Sequence, residues 1–302
     1  IVNLDMLKSW LCTLFICYTF SQDTFSIVAI DTITGEIGSA GASCIQNSII
    51  ISDVHPGLGV IHTQSYWNAQ NQDSASVLIE LGFSAQEIID WLRDNDSQND
   101  PSIRQYGIVT LFPEIESAAY TGENCFDYKN HIVGPNYSIQ GNILLSQTIL
   151  DTMEFAFTTA YGSFEEKLIA SIMAANISGA DTRCLDYDTP AISSFIRVAR
   201  PNNNLDSLYL NIDVSNAPLT INPLDSLFKL YWMWKIEHFS NGDLNFDNKI
   251  NIFDVKLLID HLYYFSELEE SALMQADLNE SGTVEITDLY LLLYQITGTL
   301  NN

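Results

Sequence analysis

Two acidic loops near the C-terminal end contain the side chains whose types and spacing point most directly to chemistry. Each loop is twelve residues long and places an oxygen-bearing side chain at positions 1, 3, 5, 9 and 12. These residues are Asp243, Asn245, Asp247, Asn251 and Asp254 in the first loop, and Asp277, Asn279, Ser281, Glu285 and Asp288 in the second. Ca²⁺ takes oxygen ligands at this spacing, together with a backbone carbonyl at position 7, which belongs to Lys249 or Thr283.

The repetition of the loop argues for metal binding. A single loop of this composition is also compatible with a solvated acidic turn. Here the two loops begin 34 residues apart, and each leads into an apolar segment that predicts a helix, over 254–264 and 288–298. Because so many ligand positions coincide twice in the same register, we expect two Ca²⁺ sites.

The composition predicts a folded and strongly acidic protein. The chain has 302 residues, of which 47% are hydrophobic and 17% charged, enough for one large domain or for a large and a small one. The formal net charge is −26, with 12 lysines and arginines against 38 acids. Few cations are present to neutralise phosphates, which argues against binding to nucleic acid or to an anionic membrane.

The N-terminal segment predicts export. Lys8 precedes an apolar run over 10–20, and small or polar residues follow, which is the pattern of a signal peptide covering 1–21. The run is shorter than the roughly 20 apolar residues of a membrane-spanning helix, so we expect a secreted, extracellular protein without a stable membrane span. Beyond this segment the cysteines are Cys44, Cys125 and Cys184. One disulfide and one remaining thiol fit that number, and the sequence does not choose the pair.

The order of the predicted elements is typical of an α+β protein in which helices cover a mostly antiparallel sheet. Strands are expected over 24–31, 37–44, 57–63, 105–112, 117–121, 132–133, 138–140, 192–200 and 207–214. Helices are expected over 74–81, 84–93, 143–159, 164–176 and 224–238. Ser84 and Glu87 form a capping box at the start of the second of these helices. We therefore expect a signal peptide (1–21), a large domain (22–239) and a small all-helical domain (240–302).

Motifs spread over the large domain resemble a known family. They are Thr24-Phe-Ser-Ile-Val-Ala, Thr63-Gln64-x-Tyr66, Arg104-Gln105-x-Gly107, Gln140-Gly-Asn142 and Gly179-Ala-Asp181-x-Arg183. Together they are similar to DUF1028, a family of unknown function placed among the N-terminal-nucleophile (Ntn) hydrolases, and the similarity covers about 24–237. The resemblance implies a four-layer αββα sandwich. It implies no particular substrate.

The resemblance also suggests a catalytic residue, Thr24. In an Ntn hydrolase the first residue is the nucleophile, and its own α-amine is the base that takes the hydroxyl proton. Signal cleavage after Ser21 leaves Gln22 and Asp23 in front of Thr24, so further processing is required. The alternative is a strand-edge threonine in a domain that keeps the fold without the chemistry.

Polar residues at the motif positions form either a binding pocket or a hydrogen-bond network in the core, and the sequence favours neither. They are Gln64, Tyr66, Asn68, Arg104, Gln140, Asn142, Asp181 and Arg183.

The paired loops resemble a type I dockerin over 242–298. Each loop ends in aspartate instead of the glutamate of an ordinary EF-hand. The resemblance implies that positions 10 and 11 face a cohesin partner; these residues are Ile252, Phe253, Ile286 and Thr287. One departure is Asn248, which stands where such loops prefer glycine.

Three functions remain open. The first is a secreted hydrolase of amide bonds attached through its dockerin to a cohesin-bearing scaffold or surface. The second is a non-catalytic binding or structural module. The third is a self-assembling protein whose dockerin binds another copy of the same chain.

Overall fold

The protein is described by a computed structural model covering residues 24–238, 241–279 and 281–298. The expected signal peptide lies outside the described residues. Ten strands are described: β1 (Phe25–Ile30), β2 (Ile37–Ser43), β3 (Ser52–His55), β4 (Gly59–Ser65), β5 (Arg104–Thr110), β6 (Glu116–Thr121), β7 (Asn130–Val133), β8 (Tyr137–Gly141), β9 (Ser193–Ala199) and β10 (Leu210–Val214). Eight α-helices are described: α1 (Ala69–Glu80), α2 (Ala85–Asp94), α3 (Thr148–Thr159), α4 (Phe164–Ala174), α5 (Pro223–His238), α6 (Ile252–Leu262), α7 (Glu270–Ala276) and α8 (Ile286–Thr297).

The strands form two antiparallel sheets. One has six strands in the order β10-β9-β2-β1-β8-β7, and the other has four in the order β3-β4-β5-β6. Strand β1 lies at the middle of the larger sheet, paired with β2 on one side and β8 on the other. The residue in front of β1, Thr24, is therefore surrounded by the ends of β2 and β8.

Apolar side chains join the sheets and their helices into layers. Val28 and Ile37 of the larger sheet pack against Val60 and Val109 of the smaller one, so the two sheets lie face to face. Helices α3, α4 and α5 cover the other side of the larger sheet, and α1 and α2 cover the other side of the smaller one. The expected α+β class is confirmed. The layers follow the order helix, sheet, sheet, helix.

Two helices of the large domain begin at positions other than those predicted. The helix expected over 143–159 begins only at Thr148, because Ile143 has a left-handed backbone (φ 54°) and Leu144 bridges to Asp181. Helix α1 begins five residues before the expected 74, because the side chain of Asn68 accepts a hydrogen bond from the Asn71 backbone N–H and caps the helix there. The short strand β3 was not expected. The capping box of Ser84 and Glu87 is present at α2.

The C-terminal module consists of α6, α7 and α8 around their own apolar core, to which Leu258 and Leu292 contribute. Each acidic loop leads directly into α6 or α8, as expected, although both helices begin two residues earlier than predicted. Asn251 explains this at α6, where its side chain caps the Phe253 backbone N–H. Helix α7 was not expected from the sequence.

In the part of the chain that the structure describes, no helix combines the length and the apolar character needed to cross a bilayer.

Candidate functional site

Position 1 of each acidic loop organises the turn that follows it. The carboxylate of Asp243 accepts hydrogen bonds from the backbone N–H groups of Asp247 (3.1 Å) and Asn248 (2.9 Å). In the second loop, Asp277 accepts the corresponding bonds from positions 281 and 282, at 2.9 and 2.7 Å. The two loops therefore close around their first carboxylate in the same way.

The carboxylate at position 12 also accepts the same set of hydrogen bonds in both loops. Asp254 accepts hydrogen bonds from the N–H groups of Leu244 (2.8 Å), Asn245 (3.2 Å) and Asn251 (2.8 Å). Asp288 accepts three bonds from the corresponding positions of its own loop, at 2.8, 3.2 and 2.8 Å. Each last carboxylate thus fastens the start of the loop to the helix that follows, and the loop ends are drawn together.

Position 6 of both loops has a left-handed backbone. Asn248 has a φ of 63° and Gly282 a φ of 86°. Glycine adopts this region freely, whereas a residue with a Cβ is disfavoured there by about 1–2 kcal/mol, less for asparagine than for most. Asn248 therefore makes the turn that glycine usually makes, at some cost in stability.

The loop carboxylates have no cationic partner among the described residues. Asp243, Asp254 and Asp288 are buried, and no lysine, arginine or histidine forms an ion pair with them in the described ranges. Burial and the negative charges of Asp254 and Asp247 raise the pKa of Asp243, the backbone hydrogen bonds lower it, and the net result is a pKa of about 6. Uncompensated buried carboxylates of this kind fit a cation.

The donor set is chemically suited to a hard divalent ion. Across 24–238, 241–279 and 281–298, no group of three or more histidine, cysteine, aspartate or glutamate side chains forms a metal site by itself. Each loop instead mixes carboxylates with amide or hydroxyl oxygens and a backbone carbonyl, which is the mixture Ca²⁺ accepts.

The expected partner-binding positions are on the surface. Ile252 and Phe253 are each 64% exposed and Ile286 is 47% exposed, and Thr287 is exposed as well. They stand at the first turns of α6 and α8. Each pair is thus presented next to one of the acidic loops.

Thr24 is held by its backbone between the ends of β4 and β8. Its N–H donates to Oδ1 of Asn142 (3.3 Å), and its carbonyl accepts from the backbone N–H of Asn142 (3.2 Å) and from Nε2 of Gln64 (3.2 Å). Asn142 also donates to Oγ of Ser65 (3.3 Å), a residue with a left-handed backbone (φ 65°) at the end of β4. Thr24 is fully buried.

A charged pair borders the other side of Thr24. Because Phe25 pairs with Ala42, the antiparallel register places Thr24 opposite Ser43. The guanidinium of Arg183 donates to Oγ of Ser43 (3.3 Å) and forms two hydrogen bonds with the buried carboxylate of Asp181 (2.9 and 2.5 Å). Asn142, Asp181 and Arg183 thus meet around one point.

A disulfide fixes this arrangement. The bond joins Cys44 to Cys184, with the Cα atoms 5.7 Å apart, and Cys125 is a buried thiol outside it. Asp181 additionally accepts from the Cys44 backbone N–H at 2.9 Å. The end of β2 is therefore fastened to the segment that carries Asp181 and Arg183.

Gln64 and Gln140 belong to a hydrogen-bond network between the sheets. Gln140 donates to Oγ of Ser26 (2.7 Å), Ser26 donates to Gln64 (2.7 Å), and His62 lies 2.9 Å from the same hydroxyl. All four side chains are fully buried. Burial, assisted by the charge of Arg197, lowers the pKa of His62 to about 3, so this histidine is neutral.

Arg104, Tyr66 and Asn68 hold the loops beside the smaller sheet. Arg104 is buried, donates to Asp96 (2.8 Å) and Gln98 (2.7 Å), and hydrogen-bonds the carbonyl of Tyr66. Asn68 caps α1. Of the expected polar cluster, these residues and Gln140 have structural contacts, and Gln64 joins the network of Gln140 to the Thr24 carbonyl. Asn142 contacts Thr24 directly, and Asp181 and Arg183 lie beside Ser43, which is opposite Thr24. Ser65 was missed by sequence reasoning, since no local pattern distinguishes it.

The fold and the loops define a protein of two parts, a two-sheet α+β domain and a paired calcium-loop module. The chain belongs to the family of unknown function DUF1028, whose model matches residues 24–222. Residues 241–297 match the dockerin type I domain.

Solved structures agree with the assignment of the first domain. A DUF1028 protein from Silicibacter pomeroyi is similar at 23% identity with a TM-score of 0.58, and the match covers 70% of this chain and 88% of that one. At this identity the likeness establishes the fold alone. The Anbu (ancestral β-subunit) protein from Yersinia bercovieri matches at 10% identity, over 71% of this chain and 96% of that one, with a TM-score of 0.33, which is too low to support an argument. No curated protein matches the chain.

Proposed function

We propose that this chain is an extracellular protein whose C-terminal module binds two Ca²⁺ ions and attaches the first domain to a cohesin-type partner. A dockerin match supports calcium binding and cohesin attachment for residues 241–297. The proposal adds the number of ions, the residues that hold them and the extracellular location. The disulfide between Cys44 and Cys184 supports export, since such bonds persist in oxidising compartments.

The observation that carries the proposal is the repeated geometry of the two loops. The same backbone N–H groups bond the first and last carboxylates in both, at distances that agree within about 0.2 Å. The carboxylates concentrate negative charge inside the fold, and no cationic side chain of the described residues is paired with Asp243, Asp254 or Asp288. A bound ion would supply that positive charge.

The first site would be formed by Asp243, Asn245, Asp247, Asn251 and Asp254 with the carbonyl of Lys249, and the second by Asp277, Asn279, Ser281, Glu285 and Asp288 with the carbonyl of Thr283. The hydrogen bonds at positions 1 and 12 already direct the carboxylates into each loop, so little rearrangement is needed on binding. With the loops closed, the apolar pairs at positions 10 and 11 are held at the surface, where a partner could cover them.

Calorimetric titration of the whole chain with Ca²⁺ tests the two sites. We expect two ions per chain, with Asp243→Ala and Asp277→Ala each removing one and leaving the other. Absence of Ca²⁺ binding by the unaltered chain would refute the proposal.

Sedimentation in Ca²⁺ and in EDTA tests whether the chain binds copies of itself. Association that depends on Ca²⁺ and is lost in Phe253→Ala would indicate that the partner is a second copy.

A second function, amide hydrolysis by Thr24, is favoured by the residues gathered around it. We propose that processing in front of Thr24 frees its α-amine, which Asn142 then orients through Oδ1. The amine takes the proton of the Thr24 hydroxyl as its oxygen attacks an amide carbonyl. The proton passes to the departing amine, and water hydrolyses the resulting ester. The proposal needs no residue beyond the family motif.

The mature N-terminus decides between this mechanism and a domain without catalysis. We expect the secreted protein to begin at Thr24 by intact mass, and Thr24→Ala to be inactive while keeping the same melting temperature. A mature protein that begins at Gln22 without an internal cut would exclude the terminal-nucleophile mechanism and favour a non-catalytic binding or structural domain.

A further inference from the structure

The first calcium loop is in contact with the first domain through Phe246. This residue occupies position 4 of the loop and is only 7% exposed. Its ring packs with Trp232 of α5, with the ring centroids 6.3 Å apart, and with Leu268 and Ala272 beside α7. A residue from the metal loop is therefore buried against a helix of the sandwich domain.

A buried lysine completes this contact. Lys235 of α5 is fully buried, and its ammonium lies 3.9 Å from the ring centroid of Phe246 and 5.0 Å from that of Trp232. The ammonium is paired with the carboxylate of Glu166. Cations over aromatic rings are attracted most strongly where water is excluded, as it is here.

Glu166 connects the contact firmly to the first domain. Its carboxylate also accepts the backbone N–H of Ser163 at 2.7 Å, as part of the capping box at the start of α4. The position of Lys235 is thus fixed by two helices of the sandwich, α4 and α5. Phe246 enters a site that the first domain has already organised.

The backbone of Phe246 indicates that this contact and the metal loop depend on each other. Phe246 has a φ of 58°, the left-handed region that disfavours a residue with a bulky side chain. Such a conformation persists only where its surroundings hold it. On one side the hydrogen bond from the Asp247 N–H to Asp243 holds the loop, and on the other the ring is held by Lys235 and Trp232.

We propose that Phe246, Lys235, Trp232 and Glu166 form a clasp that couples Ca²⁺ binding at the first loop to docking of the module onto the first domain. The ion and the clasp both favour the same conformation of Phe246. By thermodynamic linkage each therefore strengthens the other by the same factor. The second loop has Glu280 instead of an aromatic residue at position 4, and the coupling is proposed for the first loop. This inference rests on the proposed calcium sites.

The test is Ca²⁺ titration of the full chain carrying Phe246→Ala, which changes no metal ligand. We expect the affinity of one site to fall about tenfold, within the usual range for coupled sites, while the other site stays within about twofold. Phe265→Ala is the matched control, because it removes the same side chain from the same module at a position that is 78% exposed and lies outside both loops. It should leave both affinities unchanged.

Small-angle scattering provides a readout that is independent of affinity. The unaltered chain should be compact in Ca²⁺ and extended in EDTA, and Phe246→Ala should be extended in both. Lys235→Met, which keeps an unbranched side chain and removes the charge, should weaken the same Ca²⁺ site by a smaller factor. Equal affinities for the unaltered chain and Phe246→Ala, or equal dimensions in Ca²⁺ and EDTA, would overturn the clasp. Failure of the unaltered chain to bind Ca²⁺ would overturn the calcium sites themselves, which is a separate result.

Discussion

The buried carboxylates of the sandwich domain and those of the calcium loops differ in what neutralises them. In the sandwich, two of the three buried carboxylates among the described residues are paired with a cation, Asp96 with Arg104 at 2.8 Å and Asp181 with Arg183 at 2.5 Å. The third, Glu165, has no ion pair there, and burial raises its pKa. In the loops, Asp254 and Asp288 accept only backbone N–H bonds among the described contacts. Asp96 and Asp181 thus have a counter-charge from their own domain, whereas the buried carboxylates of the loops have no cationic side chain paired with them among the described residues.

The same contrast is visible in pKa values. Burial alone raises the pKa of Asp96, but Arg104, the Asp100 N–H and Asn71 lower it by more, to about 2. Asp243 shifts in the opposite direction, to about 6. Residues 241–302 contain 11 acids and 2 lysines, so the chain itself cannot balance the module. Comparable acidic side chains are thus paired within the fold in one region and, under the proposed function, are available to an external ion in the other.

Calcium removal should produce the largest difference between the two regions. At Ca²⁺ concentrations 1,000-fold above the dissociation constant, each ion stabilises the module by about 4 kcal/mol, and EDTA removes that contribution. Differential scanning calorimetry should show the transition of the module lost or strongly lowered and that of the sandwich little changed. A module whose transition is the same in EDTA would contradict the charge-deficit explanation.

Removing one partner of a buried ion pair should destabilise the sandwich domain to the same extent with and without Ca²⁺. Arg104→Met leaves Asp96 buried without its cation, which should cost about 3–5 kcal/mol of unfolding free energy in Ca²⁺ and in EDTA alike. The control is Arg93→Met, since the pair of Arg93 with Asp90 is about half exposed and should contribute less than about 1 kcal/mol. Denaturant unfolding measures both. Equal losses of unfolding free energy in the two variants would contradict the expected difference between buried and exposed ion pairs.

Acid should weaken the sandwich in a defined window. The pKa of Asp96 is about 2 in the folded chain, below its unfolded value of about 3.9. The stabilisation is therefore fully present above about pH 4 and is lost as the pH falls towards 2, amounting to about 2 kcal/mol after allowance for partial screening. Asp96→Asn should be less stable at pH 7 and should lose less between pH 4 and pH 2. A variant with the unaltered pH dependence would show that other groups are responsible.

The smallest effect compares position 6 of the two loops. A Cβ at Gly282 would meet nothing within 4 Å, so Gly282→Ala isolates the cost of a left-handed backbone, with φ at 86°. We expect about 1 kcal/mol of lost stability in Ca²⁺. Asn248→Gly should give a gain of a few tenths of a kcal/mol at the first loop. Thermal unfolding in saturating Ca²⁺ measures both, and changes of the same sign would show that backbone strain does not distinguish the loops.

Sequence reasoning worked best where interacting groups are close along the chain. The loop carboxylates bond N–H groups at most ten residues away, so their spacing contains nearly all the information. The capping box of Ser84 and Glu87 was predictable for the same reason. The start of α3 was not, because it depends on a bridge between Leu144 and Asp181, which lie far apart in sequence.

The polar motif residues show the limit of local reasoning. Gln140 lies in β8, and Asn142 follows directly after the end of this strand. Gln140 contacts Ser26 and His62 inside the sandwich, whereas Asn142 contacts Thr24 at the edge of the sandwich. Residues two apart point to the same face of a strand, so the two roles are separated by the end of β8 at Gly141 and by the approach of the second sheet. The sequence motif contains both residues, but it does not predict that their contacts differ.

By itself, the sequence indicated the two repeated acidic loops, the α+β class and the pair of domains to which the chain is similar, because repeated spacing and periodic burial are local properties. Tertiary structure alone decided that Cys44 pairs with Cys184 across 140 residues, that Arg183 reaches Ser43, and that Phe246 lies over Lys235. Those contacts join segments whose separation along the chain conveys nothing about their distance in space. They depend on how the sheets, helices and module pack together.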